Sequence, residues 1–226
     1  MKNQIVASIA ALPLALGTVF AGAGVAEATA LTGQFQLSSG ISAGGLSNIF
    51  LTENSLYFEP VPTPIAIDAD TDGGTFSAFN TAYISNIITF SPFVATNPFL
   101  DLGSTALPGV VTGPEPSLTD GLNIFNLDEA SFRLSQTGAN VSVEVDLWGD
   151  FVSETGETTR GAGSLTFQIN NDTVASVQQQ LDNGETIGDM TFSGGLFSAS
   201  VPEPATLFGL GVVTAGLVTS RRQKKS

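Results

Sequence analysis

The chain has 226 residues, with seven Lys and Arg against 21 Asp and Glu, no His, no Cys and a net charge of −14. The absence of both His and Cys excludes Ser-His-Asp and Cys-His nucleophilic catalysis and the usual zinc and iron sites. Residues 29–200 hold two cations, Arg133 and Arg160, against nineteen carboxylates, a field that repels nucleic acid and anionic polysaccharide and favours cations or neutral partners.

Residues 1–28 begin with Lys2, continue through an apolar run from Ile5 to Ala26 broken by Pro13 and several Gly, and end in Ala26-Glu27-Ala28. This is the charged, apolar and A-x-A succession of a secretory signal peptide, with Ala26 and Ala28 as the cleavage-site residues. Cleavage is expected after Ala28 or, through the overlapping Ala28-Thr29-Ala30, after Ala30.

Residues 29–200 read as one ectodomain, long enough to bury roughly 70% of the unfolded surface without disulfide staples. Short alternations of Phe, Ile, Val and Leu, separated by Gly, Asn, Ser and Pro, predict an all-β, antiparallel β-sandwich or jelly-roll-like domain. Candidate strands are Gly33 to Ser38, Asn48 to Thr52, Leu56 to Phe58, Phe76 to Phe79, Ala82 to Phe90 and Leu122 to Leu127. The three prolines of Glu59-Pro60-Val61-Pro62-Thr63-Pro64 remove ladder donors, so that segment is expected to be an extended connection.

The clearest block follows. Ala130, Phe132 and Leu134, then Val141, Val143, Val145 and Leu147, then Leu165, Phe167 and Ile169 alternate with polar residues as three half-buried antiparallel strands. Gly138 in Thr137-Gly138-Ala139-Asn140 suits the first central position of a type II′ turn, and a two-residue loop makes paired positions sum to 277. Leu134 then faces Val143, Phe132 faces Val145 and Arg133 faces Glu144. One helix is predicted, capped by Asp172, with Val174, Val177 and Leu181 on its inner face and Gly184 past its end.

Two groups of residues carry candidate chemistry. Asp68, Asp70 and Asp72, ahead of Gly73 and Gly74, have the D-x-D-x-D-G spacing of calcium loops, although Phe79 stands where an EF-hand would place its bidentate Glu. Calcium is the cofactor that spacing would take; no other cofactor is implied. Glu144, Asp146, Asp150, Glu154 and Glu157 surround Trp148, as sugar stacking or glycoside hydrolysis would use them, but Glu144 and Asp146 are also the ordinary polar face of a strand. No catalytic residue is assigned.

The chain closes with Val201-Pro202-Glu203-Pro204-Ala205, an uncharged stretch from Ala205 to Ser220, and Arg221, Arg222, Lys224 and Lys225. As a helix those sixteen residues span about 24 Å against a hydrocarbon core of ~30 Å, short for a lasting anchor. The terminal cations hold the C-terminus in the cytoplasm and leave the ectodomain outside. The motif, apolar helix and basic stop together resemble the PEP-CTERM sorting signal of Gram-negative bacteria. The resemblance implies that residues 201–226 are read by an exosortase-type membrane enzyme, with Pro202, Glu203 and Pro204 as recognition residues. It implies transient anchoring in the inner membrane, then release or attachment at the cell surface, often beside exopolysaccharide.

The expectation is therefore a secreted, non-enzymatic surface or extracellular-matrix protein. Its partners would be the secretion machinery, signal peptidase and the exosortase, with no nucleic acid. A calcium- or carbohydrate-binding extracellular module is the alternative, and an extracellular glycoside hydrolase the second.

Overall fold

Val141, Val143, Val145, Leu147 and Phe151 alternate along Asn140–Val152, and each is fully buried. That face lines the inside of an eight-stranded antiparallel barrel. The computed structural model describes residues 29–69, 74–85 and 87–199. Around the barrel the strands run Gln34–Ser39, Ser193–Ser198, Thr158–Ile169, Asn140–Val152, Ile124–Thr137, Leu100–Gly103, Thr81–Ile84 and Thr63–Asp68. Thr63–Asp68 pairs back onto Gln34–Ser39 and closes the ring.

The β-rich, mainly antiparallel character and the one short α-helix among the described residues agree with the alternation. The closure departs from the expected sandwich. Alternation reports which side of a strand is buried, and that reads alike in a sandwich and in a barrel. The difference lies in Gln34–Ser39, which pairs on both edges, with Ser193–Ser198 and with Thr63–Asp68.

The predicted hairpin register is observed, with Thr137 opposite Asn140, Leu134 opposite Val143 and Phe132 opposite Val145. Of the two turn residues only Gly138 has positive φ, at 62°, as a type II′ turn requires. Arg133 meets Glu144 at 2.6 Å and also reaches Asp146 at 2.6 Å. The register holds to Glu129 opposite Trp148 and then shifts by one residue at a bulge before Leu127, which faces Gly149. The expected strand at Leu122–Leu127 is thus the near end of one long strand, Ile124–Thr137.

Four further expectations are corrected. Phe76–Phe79 is not a strand: Gly74–Ala78 forms a 3₁₀ turn that inserts Phe76 between Phe35 and Phe151, at ring distances of 4.9 and 4.8 Å. Ala82–Phe90 is two strands, Thr81–Ile84 in the barrel and Ile88–Phe90 in a separate sheet: Ser85 and Asn86 interrupt the apolar residues, and which sheet each part joins is set by distant partners. The helix Val174–Asp182 is capped by Thr173, whose hydroxyl accepts from the Ser176 N–H at 3.2 Å, with Asp172 one residue outside. Thr63 and Pro64 belong to a barrel strand, Pro64 opposite Tyr83 and beyond the stretch paired with Gln34–Ser39, where its missing N–H costs no ladder bond on that side. Gly184 does end the helix, with φ 80°.

A five-stranded sheet, ordered Ile187–Met190, Asn48–Leu51, Ser55–Glu59, Ile88–Phe90 and Phe93–Ala95, packs on the barrel. Phe58 meets Phe99 and Phe192 there, and Phe90 meets Phe132. A smaller sheet joins Val110–Val111, Ile41–Ser42 and Gly45–Leu46.

Among the described residues one carboxyl is buried. Asp101 lies in Leu100–Gly103 under the segment that follows Pro116–Leu118, is 8% exposed, accepts from the Gly121 N–H with one oxygen and has no partner for the other among the described residues. Burial is the main reason its pKa is pushed up from 3.8 to about 6, with Asp120 adding to it and the Gly121 bond opposing it. A carboxyl whose folded pKa is raised destabilises the fold when ionised. Its cost is absent below pH 3.8 and complete above about pH 6. Between those limits Asp101 makes the wild type gain on the order of 2 kcal/mol as pH falls. Urea unfolding of wild type and Asp101→Asn at pH 4 and pH 8 checks this: the variant is expected to be the more stable protein at pH 8, and the difference to vanish at pH 4.

Candidate functional site

The outer face of the barrel carries the site. In Asn140–Val152 the residues between the buried ones point outward, so Asp146 and Trp148 share that face. Cross-strand pairing extends two rows from them. Trp148 is opposite Ala162, Ala162 opposite Phe197 and Phe197 opposite Gln34. One step along, Asp146 is opposite Ser164, then come Gly195, Gln36 and Asp68.

These rows line a concavity of about 540 Å³, within the range typical of small-ligand sites. Its depth comes from side-chain size. Ala162, Ser164 and Gly195 form a low floor, and Trp148 and Phe197 rise at its side, 39% and 52% exposed. Two strand spacings, about 10 Å, separate the backbone positions of these aromatics. Gln34, Gln36, Asp68 and Ser164 add amide, carboxylate and hydroxyl groups. None of those four side chains has a hydrogen-bond partner among the described residues, whereas Asp146 is held by Arg133.

Two groups that lie far apart in the sequence, Asp68 and the Asp146–Trp148 segment, therefore line one groove. The remaining predicted carboxylates do not join them. Glu144 is held by Arg133, Asp150 pairs with Arg160 at 2.9 Å, and Glu154 and Glu157 lie in the turn beyond the strand. Arg160 also takes Asp128 at 2.7 Å, so both cations of the described residues are engaged. Asp146 and Asp68 stand four strands apart, about 19 Å along the sheet, against the ~5–9.5 Å between the carboxyls of glycoside hydrolases. Asp70 and Asp72 of the calcium pattern lie outside the described residues. Among the described residues no group of three or more carboxylates could hold a metal ion.

Phe197, Gln34, Gln36 and Ser164 were not singled out by sequence. For Phe197 a signal exists: Leu196 and Phe197 are adjacent in a strand, so they must point to opposite faces, and one large apolar side chain has to lie outside. For the glutamines there is none, since polar residues on the outward face of a strand are ordinary.

The groove borders the place where the chain leaves the barrel. Ser198 donates to Gly33 O at 2.9 Å and Ala199 to Arg160 O at 2.8 Å. The two ends of the described domain thus lie side by side, since Gln34 pairs with Phe197. The signal-cleavage residues Ala26 and Ala28, the sorting residues Pro202, Glu203 and Pro204, and the basic stop Arg221, Arg222, Lys224 and Lys225 lie outside the described residues, as does the apolar stretch 205–220. Among the described residues no helix is long and apolar enough to cross a membrane.

Residues 200–223 match the family model for the PEP-CTERM protein-sorting motif. The match begins one residue after Ala199. Comparison with curated proteins and with solved structures gives no match.

Proposed function

We propose, from the premise that a PEP-CTERM protein-sorting motif occupies residues 200–223, that the chain is a non-enzymatic surface or extracellular-matrix protein delivered by that motif. The motif implies export toward the cell surface and processing by an exosortase-type enzyme. In this reading residues 1–28 are removed by signal peptidase. Residues 205–220 hold the protein transiently in the inner membrane, and the barrel is then released or attached outside.

The observation that carries the reading is the motif match placed directly after a folded strand. Only Ser200 separates Ala199 from Val201, so the barrel stands within a few residues of the processing point, at most ~3.5 Å each. Cell fractionation with mass spectrometry of the C-terminus tests it. Wild type is expected to lose Arg221–Ser226 and leave the inner membrane, whereas Pro202→Ala/Glu203→Ala/Pro204→Ala keeps both the tail and the membrane location. Wild-type protein that retains Arg221–Ser226 and stays in the inner membrane would sink the sorting reading and leave a plain anchor.

The carbohydrate-binding alternative is favoured by one observation, the groove between Trp148 and Phe197. The hydrolase reading finds no support in the same groove, because Asp146 is committed to Arg133 and Asp68 stands four strands away.

A further inference from the structure

We propose that the concavity between Trp148 and Phe197 binds a neutral glycan chain. This deepens the surface-protein reading by giving it a ligand, but the groove would act equally in a protein whose C-terminus is never processed.

The chemistry of the lining selects the ligand. Trp148 and Phe197 offer exposed rings in one row, with only the Ala162 methyl between them. The C–H faces of a pyranose stack on such rings, and a sugar lying over Ala162 would have an aromatic on each side. A sugar also needs donors and acceptors for its hydroxyls. The Gln34 and Gln36 amides provide both, Ser164 provides both, and Asp68 accepts. None of these four side chains is hydrogen-bonded to the described residues. A purely apolar partner would strand them, and each buried unpaired polar group costs ~1–3 kcal/mol.

Charge then separates neutral from anionic glycans. Arg133 is taken by Glu144 and Asp146, and Arg160 by Asp128 and Asp150, so no described cation is left to meet a uronate or sulfate. Asp68 and Asp146 stand at the two rims in a strongly acidic domain and repel such groups. The same rims disfavour an anionic membrane surface as the occupant.

Full-length protein in detergent, titrated by calorimetry with neutral gluco-, manno- and xylo-oligosaccharides and with an oligouronate, tests the proposal. At least one neutral oligosaccharide is expected to bind, and the oligouronate to bind at least about tenfold more weakly. Trp148→Ala, which removes a ring, and Ala162→Gln, which fills the floor, should each weaken binding about tenfold or more with unchanged thermal melting. Leu107→Ala, an exposed site outside the groove, should leave it unchanged. The proposal is overturned if no neutral oligosaccharide in the panel binds, if the oligouronate binds as well, or if binding survives both groove variants. It is also overturned if sedimentation shows self-association that Trp148→Ala abolishes while no glycan binds, since the patch would then join copies of the chain. Failure of C-terminal processing changes none of these readouts, so the two proposals can fail separately.

Discussion

Phe151→Ala is expected to lower the free energy of unfolding by about 3–5 kcal/mol. Phe151 is fully buried and is the ring on which the barrel interior converges: Phe125 lies 4.6 Å away, Phe76 4.8 Å and Phe35 6.2 Å. Those rings come from the strands Ile124–Thr137 and Gln34–Ser39 and from the Gly74–Ala78 turn, so one truncation loosens three elements at once. The surrounding sheet is closed and cannot slide inward to fill the void, which places the cost toward the upper end. Phe197→Ala is the matching control. It removes the same side chain from a 52% exposed position and should change stability by no more than about 0.5 kcal/mol. Paired urea melts of the two variants measure the contrast, and equal losses would mean that the Phe151 cluster is not the core of the fold.

The second large effect is expected from a single methyl group. In Gly149→Ala the new Cβ would lie 2.0 Å from the Asn126 carbonyl oxygen and 3.0 Å from the Phe125 ring. The oxygen belongs to backbone, so the strain cannot be relieved by turning a side chain. Gly149 faces Leu127 at the bulge, where the pairing of Ile124–Thr137 with Asn140–Val152 shifts by one residue. A loss of about 3 kcal/mol is expected, together with faster amide exchange across the bulge. Gly138→Ala provides the comparison: its Cβ meets nothing within 4 Å, so the positive φ alone sets its cost, about 1 kcal/mol. If Gly149→Ala melts like wild type, the close approach at the bulge is not required.

These two positions mark what a linear reading reaches. Phe151 belongs to an alternation that any reading of Asn140–Val152 extends to. Its three ring partners come from residues 35, 76 and 125, and nothing in the sequence relates them. Gly149 in a strand interior signals a bulge or a close backbone approach in general. The partner, Asn126 O, follows only from a register that has already slipped by one.

The hairpin around Gly138 was legible to the residue because its determinants are local: a glycine that can adopt positive φ, a two-residue loop and the alternation on both sides. The helix was legible for the same reason, and the misplaced cap, Asp172 for Thr173, is a choice between adjacent residues that both suit the position. Ser85-Asn86 marks the break within Ala82–Phe90, but the sheet that Ile88–Phe90 joins was not legible, nor was the turn at Phe76. Both depend on distant partners, and a buried apolar residue looks the same along the chain whichever element it packs against.

The candidate groove divides in the same way. Trp148 with its carboxylates and Asp68 each stood out from sequence, as two unrelated weak signals more than 70 residues apart. Their meeting around one groove, with Phe197 and the two glutamines, is a product of barrel closure. By itself the sequence determined the all-β class, the hairpin register, the Arg133–Glu144 pair, the exclusion of His- and Cys-based chemistry, and the sorting motif, because these rest on local backbone preference, composition or a contiguous string. Only the tertiary structure decided that the sheet closes, that Phe76 plugs it, and that small residues of Thr158–Ile169 and Ser193–Ser198 hollow its outer face. Those features depend on pairing between strands distant in the chain, above all Gln34–Ser39 with Ser193–Ser198, and long-range pairing is set by the total packing of the domain.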